Sequence, residues 1–217
     1  MKIHFIGNSH VSLFSGSYDL FQKDQIDIFK TYHLGPTIAY NFYEHHFFKV
    51  LEIIKNSDIN KEEDYICLVV GEVDCRWHLP LQANIQNKNI NDIVIECVNR
   101  FFRCHLELKK MGYKIISWGG HPSTTSGHCD NLNSPVFGEC LYRNKIGNVF
   151  KNYLRELSDS NDIKFVSIYD YLLNDDGTTN MSFFRENDYC HLNPNKCLKY
   201  VYAELKENNI ITKNNNE

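Results

Sequence analysis

The run Asp64-Tyr65-Ile66-Cys67-Leu68-Val69-Val70 decides the fold: it is apolar and β-branched, shows no polar alternation, and leads straight into Gly71-Glu72-Val73-Asp74-Cys75-Arg76. A strand of this kind is buried on both faces, as in parallel sheets covered by helices. Working outward, Lys2 to Ile6 is a second short apolar run and ends in Gly7-Asn8-Ser9-His10. Gln25 to His33 reads as strand and stops at Leu34-Gly35-Pro36. Tyr113 to Trp118 stops at Gly119-Gly120-His121-Pro122, and Ile163 to Tyr169 brings the set to about five.

Helical spacing fills the gaps. Thr37 to Lys55 carries aromatic and aliphatic residues at that spacing. Asn91 to Met111 presents Ile93, Val94, Cys97, Val98, Phe101, Cys104, Leu106 and Leu108 as its apolar face, and Arg143 to Ser158 and Leu192 to Asn208 follow suit. Gln82 to Asn91 and Ser123 to Asn133 read as polar loops over the same sheet edge, and as candidate lids. Strand and helix in alternation predict an α/β protein, a three-layer α/β/α sandwich on a parallel sheet of about five strands. In such sheets ligands bind beyond the carboxyl ends of the strands, where the glycines and polar residues of this chain recur.

The chain has 217 residues, enough for one α/β domain, and we expect a single domain over 1–210 with a disordered tail at 211–217. Apolar residues make up 42% and charged residues 23%, which excludes a disordered chain; no run approaches the ~20 apolar residues of a membrane span. Net charge is −4, so there is no basic field to draw the chain onto nucleic acid or an anionic membrane. The eight cysteines are scattered without a CxxC pair, and the N-terminal apolar run is too short for a signal peptide; a reducing, cytoplasmic location is expected. Cys190, Cys197, His191 and His128-Cys129 lack the paired spacing of a structural zinc site, and no metal is expected.

Ser9 follows a strand directly, where a tight turn leaves a hydroxyl exposed at the sheet edge. A serine needs a base to become a nucleophile. Asp188-Tyr189-Cys190-His191 stands just ahead of the last helix, and a carboxylate three residues before an imidazole on a turn can orient that ring toward Ser9. The plain alternatives are that Ser9 or Asp188 caps a helix, and that Glu72, Asp74 and Arg76 form an ion-pair network bracing a strand end. His121 reads as a site wall, and Trp77, His78 and Trp118 as aromatic faces suited either to stacking on a sugar or to packing.

Taken together these blocks resemble the SGNH (GDSL-type) hydrolases, a flavodoxin-like α/β superfamily of serine esterases, lipases and carbohydrate acetyl esterases. Gly7-Asn8-Ser9-His10 matches the nucleophile block, with Asn8 where Asp is usual. Gly35 matches the oxyanion glycine, Gly71-Glu72-Val73-Asp74 the Gly-x-Asn-Asp block, and Asp188-Tyr189-Cys190-His191 the Asp-x-x-His block. The four stand in order over nearly the whole chain. The resemblance implies a triad of Ser9, His191 and Asp188, an oxyanion held by the N–H groups of Ser9 and Gly35, and no cofactor. It breaks at Val73, where the family places an Asn donor; Arg76, with five N–H groups on a long side chain, is the candidate substitute.

The function implied is removal of a small acyl group, acetyl above all, from a carbohydrate or related metabolite. The alternatives are an O-acyltransferase passing that group to a sugar hydroxyl, a catalytically weak carbohydrate-binding protein, and a flavin-binding flavodoxin. A histidine base predicts that kcat/KM rises with pH through an apparent pKa of roughly 6 to 7.5.

Overall fold

The computed structural model describes residues 1–15, 28–125 and 135–211, the side chain of Tyr189 excepted. The first residues of the Gln25–His33 run, most of the Ser123–Asn133 loop and nearly all of the 211–217 tail lie outside the described residues.

Five parallel strands form the sheet: β1 (Ile3–Gly7), β2 (Phe29–His33), β3 (Tyr65–Val69), β4 (Lys114–Trp118) and β5 (Lys164–Val166). Their order is β2-β1-β3-β4-β5, so the chain steps to one side after β1 and then to the other. This is the flavodoxin order, whose switch point lies between the carboxyl ends of β1 and β3.

Alternation along the strands builds two cores. Ile6, Ile66 and Leu68 face a layer of helices α1 (Phe42–His45), α2 (Phe47–Asn56), α4 (Ile90–Lys110) and α5 (Cys140–Ser160), with Phe42, Val50, Val94, Phe101, Phe150 and Leu154 packed among them. Ile3, Phe5, Cys67, Val69 and Trp118 face the other way, onto α6 (Pro194–Glu207) through Leu198, Val201 and Tyr202. Helices thus cover both faces. Among the described residues no helix is long and apolar enough to cross a membrane.

Three local expectations are corrected. The Thr37–Lys55 stretch is two helices broken at His46, whose extended φ of −130° interrupts the ladder. The supposed loop from Gln82 is mostly helix α3 (Leu79–Gln86): Pro80 in its first turn supplies a ready-made helical φ, and Asn87 ends it in the left-handed conformation. Asn89 then caps α4 by accepting from the Asn91 N–H. Asp188 to His191 is strand rather than turn: β7 (Asp188–Leu192) pairs antiparallel with the two-residue β6 (Phe184–Arg185). Of the two readings of Trp118, packing holds: it is buried against Phe14 in the core.

Candidate active site

β1 ends where Gly7 passes so close to β3 that a Cβ on it would lie 2.0 Å from the Val69 carbonyl oxygen; only glycine fits. The chain then turns into a short 3₁₀ helix, Ser9–Leu13. Its cap is Asn8, not Ser9: the Asn8 Oδ1 accepts the His10 N–H at 3.1 Å while its Nδ2 donates to the Thr37 carbonyl at 3.2 Å. Freed from capping, Ser9 stands exposed at the carboxyl end of β1.

The β6–β7 hairpin is strapped onto that turn. Arg185 donates to the Leu192 carbonyl on its own hairpin and, through Nη2, to the Ser12 carbonyl and hydroxyl at 3.2 and 3.1 Å. His191 is thereby carried 182 residues through the sequence to lie with Nε2 2.8 Å from the Ser9 Oγ. Its Nδ1 is 2.9 and 2.8 Å from the two oxygens of Asp188. An ionised carboxylate only accepts, so Nδ1 carries the proton and Nε2 is left bare to accept from the serine hydroxyl, the tautomer a general base needs.

The electrostatics agree with that tautomer. Burial lowers the His191 pKa below the ordinary histidine value, and nearby His10 adds to the effect against the opposing pull of Asp188. At Asp188 burial opposes ionisation, but His191 and the N–H groups of Cys190 and His191 outweigh it and hold the carboxyl below its usual value. Near neutral pH the pair is a neutral imidazole on a carboxylate.

Ser9 and His191 open onto a cavity of about 530 Å³ whose wall includes Gly35, Thr37, Asn41, Val73 and Arg76. Gly35 has φ +83°, a left-handed conformation that favours glycine, and the space where its Cβ would stand is empty. The structure therefore brings together Ser9, His191, Asp188, Gly35 and Arg76. Glu72, Asp74 and His121 stand behind the wall, buried.

The network of charges behind the wall was half legible. Arg76 lines the Ser9 cavity while its Nε donates to Glu72 at 2.9 Å and its Nη1 to the Pro135 carbonyl at 2.6 Å. The ion-pair reading holds for Arg76 with Glu72, four residues apart on one turn of π-helix, Asp74–His78, and its lead-in. Asp74 takes no part in it; its carboxylate accepts the N–H groups of Ala39 at 2.7 Å and Tyr40 at 3.0 Å. Burial pushes Asp74 up to about 6 against those two bonds, whereas at Glu72 burial is outweighed by Arg76 and by the His10 hydrogen bond, leaving it well below the carboxylate range.

Sequence reasoning missed His10 altogether. Its Nε2 meets Glu72 at 3.1 Å, its ring lies 5.2 Å from that of His191 and 4.5 Å from that of His121, and its Nδ1 is buried without a partner among the described residues. The only signal was its place beside Ser9. His121 is not in the cavity wall but packs behind His10, where burial lowers its pKa to about 3.

No family model matches the chain, and neither does any curated protein. Solved structures do match. A GDSL-like lipase from Bacteroides thetaiotaomicron aligns at 13% identity and a TM-score of 0.59, over 95% of this chain and 86% of the lipase. An acetyl xylan esterase aligns at 18% identity and 0.52, over 98% of this chain and 100% of the esterase. A carbohydrate acetylesterase from Sinorhizobium meliloti aligns at 12% identity and 0.53, again over 98% and 100%. At these identities what is shared is the architecture: the chain has the fold of the GDSL-type hydrolases.

Proposed function

We propose that the chain is a serine esterase of the SGNH type that removes a small acyl group, acetyl above all, from a carbohydrate or related metabolite. The observation that supports this reading most directly is the continuous line Ser9 Oγ, His191 Nε2, His191 Nδ1, Asp188, with 2.8 Å at the first step and 2.8 to 2.9 Å at the last, opening onto a cavity. In this reading the Ser9 Oγ bonds to the ester carbonyl carbon as its proton passes to His191 Nε2. The carbonyl electron pair moves to oxygen, and Asp188 stabilises the imidazolium without itself taking the proton. Collapse expels the alcohol, which leaves with the proton from Nε2, and water repeats the sequence on the acyl-enzyme. The N–H groups of Ser9 and Gly35 hold the oxyanion.

Acetyl and carbohydrate enter from the printed activities of two structural neighbours, an acetyl xylan esterase and a carbohydrate acetylesterase, and from the block pattern in the sequence. We place the protein in a reducing compartment, the cytoplasm, on the strength of its seven described cysteines, all free thiols. The test is a panel of p-nitrophenyl esters of rising acyl length run beside acetylated sugars, with fluorophosphonate labelling of Ser9. Acetyl esters turned over fastest, together with labelling lost in Ser9→Ala, is the expected result. Absence of both turnover and labelling in folded protein overturns it.

A further inference from the structure

The wall of the Ser9 cavity lacks a side-chain donor at Val73, and Arg76 is committed to Glu72 and Pro135. A tetrahedral intermediate puts a full negative charge on one oxygen, and oxyanion holes depend on converging donors. Among the described residues four buried polar atoms of side chains in this wall have no partner: His10 Nδ1, Thr37 Oγ1, Asn41 Oδ1 and His46 Nδ1. Buried polar groups are ordinarily satisfied, so this wall keeps side chains whose hydrogen-bonding capacity the fold has not used up.

Asn41 is the member with the right chemistry. It occupies the N-cap position of α1, where an Asn side chain normally accepts from the helix, yet it makes no cap bond. Its carboxamide is thus unspent, and with Oδ1 turned into the wall the two Nδ2 donors are the end left for a ligand. The same stretch of chain is pinned in place. Asp74, the residue after Val73, accepts the N–H groups of Ala39 and Tyr40, so the carboxylate that ends one wall of the cavity fixes the two residues just before Asn41. Such anchoring is what a preorganised donor requires. Thr37 carries a donor too, but it is only 4% exposed, whereas Asn41 is half-buried.

We propose that Asn41 supplies the third oxyanion donor, replacing from the β2–α1 loop the amide that Val73 does not provide. The proposal rests on the esterase reading above. It is tested by measuring kcat, KM and melting temperature on p-nitrophenyl acetate for Asn41→Ala and for Asn41→Asp, which keeps the shape and replaces the donor with a carboxylate. Alongside, the inhibition constant of phenylboronic acid, a tetrahedral mimic on Ser9, is measured for each variant.

Expected is a fall in kcat of about 10²- to 10³-fold with KM within about threefold, at least as severe in Asn41→Asp, and weaker boronate inhibition to match. Adding Val73→Asn to Asn41→Ala is expected to recover part of the lost kcat, which a merely structural role for Asn41 would not allow. A kcat per folded molecule within threefold of wild type, or an effect confined to KM, overturns the proposal while leaving the esterase reading intact. A wild-type protein that neither turns over esters nor reacts with fluorophosphonate overturns the esterase reading, and this proposal with it.

Discussion

Two histidine–carboxylate pairs sit at opposite ends of the same sheet. At the amino end, His4 in β1 donates through Nε2 to Asp64 at 3.3 Å and, through Nδ1, accepts from the Tyr32 hydroxyl at 3.1 Å. Asp64 also accepts the N–H groups of Lys2 at 2.6 Å and Asn60 at 3.0 Å. Every ring nitrogen and carboxylate oxygen there is used, and the pair is sealed from solvent. At the carboxyl end, His191 and Asp188 are half-buried, the ring spends one nitrogen on the carboxylate and the other on an exposed serine, and unpartnered atoms of His10, Thr37, Asn41 and His46 crowd round. The same two residue types brace the fold where their bonding capacity is used up, and form a reactive centre where it is left open toward a cavity.

The sharpest way to break that comparison is to remove the nucleophile. Ser9→Ala deletes an exposed hydroxyl, so the melting temperature is expected to stay within a few degrees while kcat falls on the order of 10⁴-fold or more; His191→Ala does the same, and Asp188→Asn less, since the base survives. Wild-type kcat in folded Ser9→Ala protein places the chemistry elsewhere.

Next in size is the buried pair behind the wall. Arg76→Leu leaves Glu72 charged, buried and short of a partner, and breaking such a pair typically destabilises by about 3 to 5 kcal/mol. Denaturant unfolding is expected to show that loss first, with a smaller effect on kcat per folded molecule than Ser9→Ala produces. A strong kcat effect at unchanged stability would return Arg76 to the oxyanion hole.

At the amino end, Asp64→Ala strips His4 and two backbone N–H groups of their acceptor. Charge-assisted hydrogen bonds of this kind contribute about 1.5 to 3 kcal/mol, and the loss is expected in stability alone, with kcat per folded molecule unchanged. In the wild type both members of the pair have folded pKa values lowered: burial lowers His4, and at Asp64 burial is outweighed by the bonds from Asn60, Lys2 and His4. Their contribution to stability is therefore complete above about pH 6.5, the unfolded histidine value. It fades as pH falls, first through His4 and, below about pH 4, through Asp64. Because Asp64 holds the His4 pKa up, the gap in urea midpoint between wild type and Asp64→Ala is expected to persist or widen on mild acidification and to close only below about pH 4, where Asp64 is protonated; a constant gap from pH 7 to pH 3 refutes it.

What the sequence made legible follows from range. The strands were legible because Tyr65 to Val70 is apolar throughout and its companions are rich in β-branched and aromatic residues, and the four blocks because each is contiguous. Ser9, His191 and Asp188 were thus nameable before any geometry. The unmet donors were not. Asn41 looks like any helix-capping Asn, and neither its missing cap bond nor the hold of Asp74 on the two residues before it is written in the local sequence. His10 looks like a turn residue until Glu72, 62 positions on, is folded against it. Arg76 invited two readings, Glu72 or the oxyanion, and sequence spacing alone could not decide between a contact within one helical turn and a reach across the cavity. Likewise the Asp188–His191 block reads as a turn, because pairing with the two residues of β6 is too short to leave a pattern.

The smallest expected effect is a displacement along the pH axis. A base acts only when neutral, so kcat/KM rises with pH through the pKa of His191 in the free enzyme and then levels off. Burial, with a further contribution from His10, moves that pKa below the ordinary 6.5, toward the lower part of the roughly 6 to 7.5 range expected from sequence. Asp188 acts in the opposite sense, by attracting the imidazolium proton and accepting its hydrogen bond. Asp188→Asn removes that charge and is expected to move the acid limb to still lower pH even as it lowers the plateau, an apparent contradiction that only a carboxylate paired with the base produces. The profile on p-nitrophenyl acetate from pH 4 to pH 8 reads both quantities at once. A limb that Asp188→Asn leaves in place would mean that the half-buried pair at the carboxyl end is, like its sealed counterpart at His4, a structural brace.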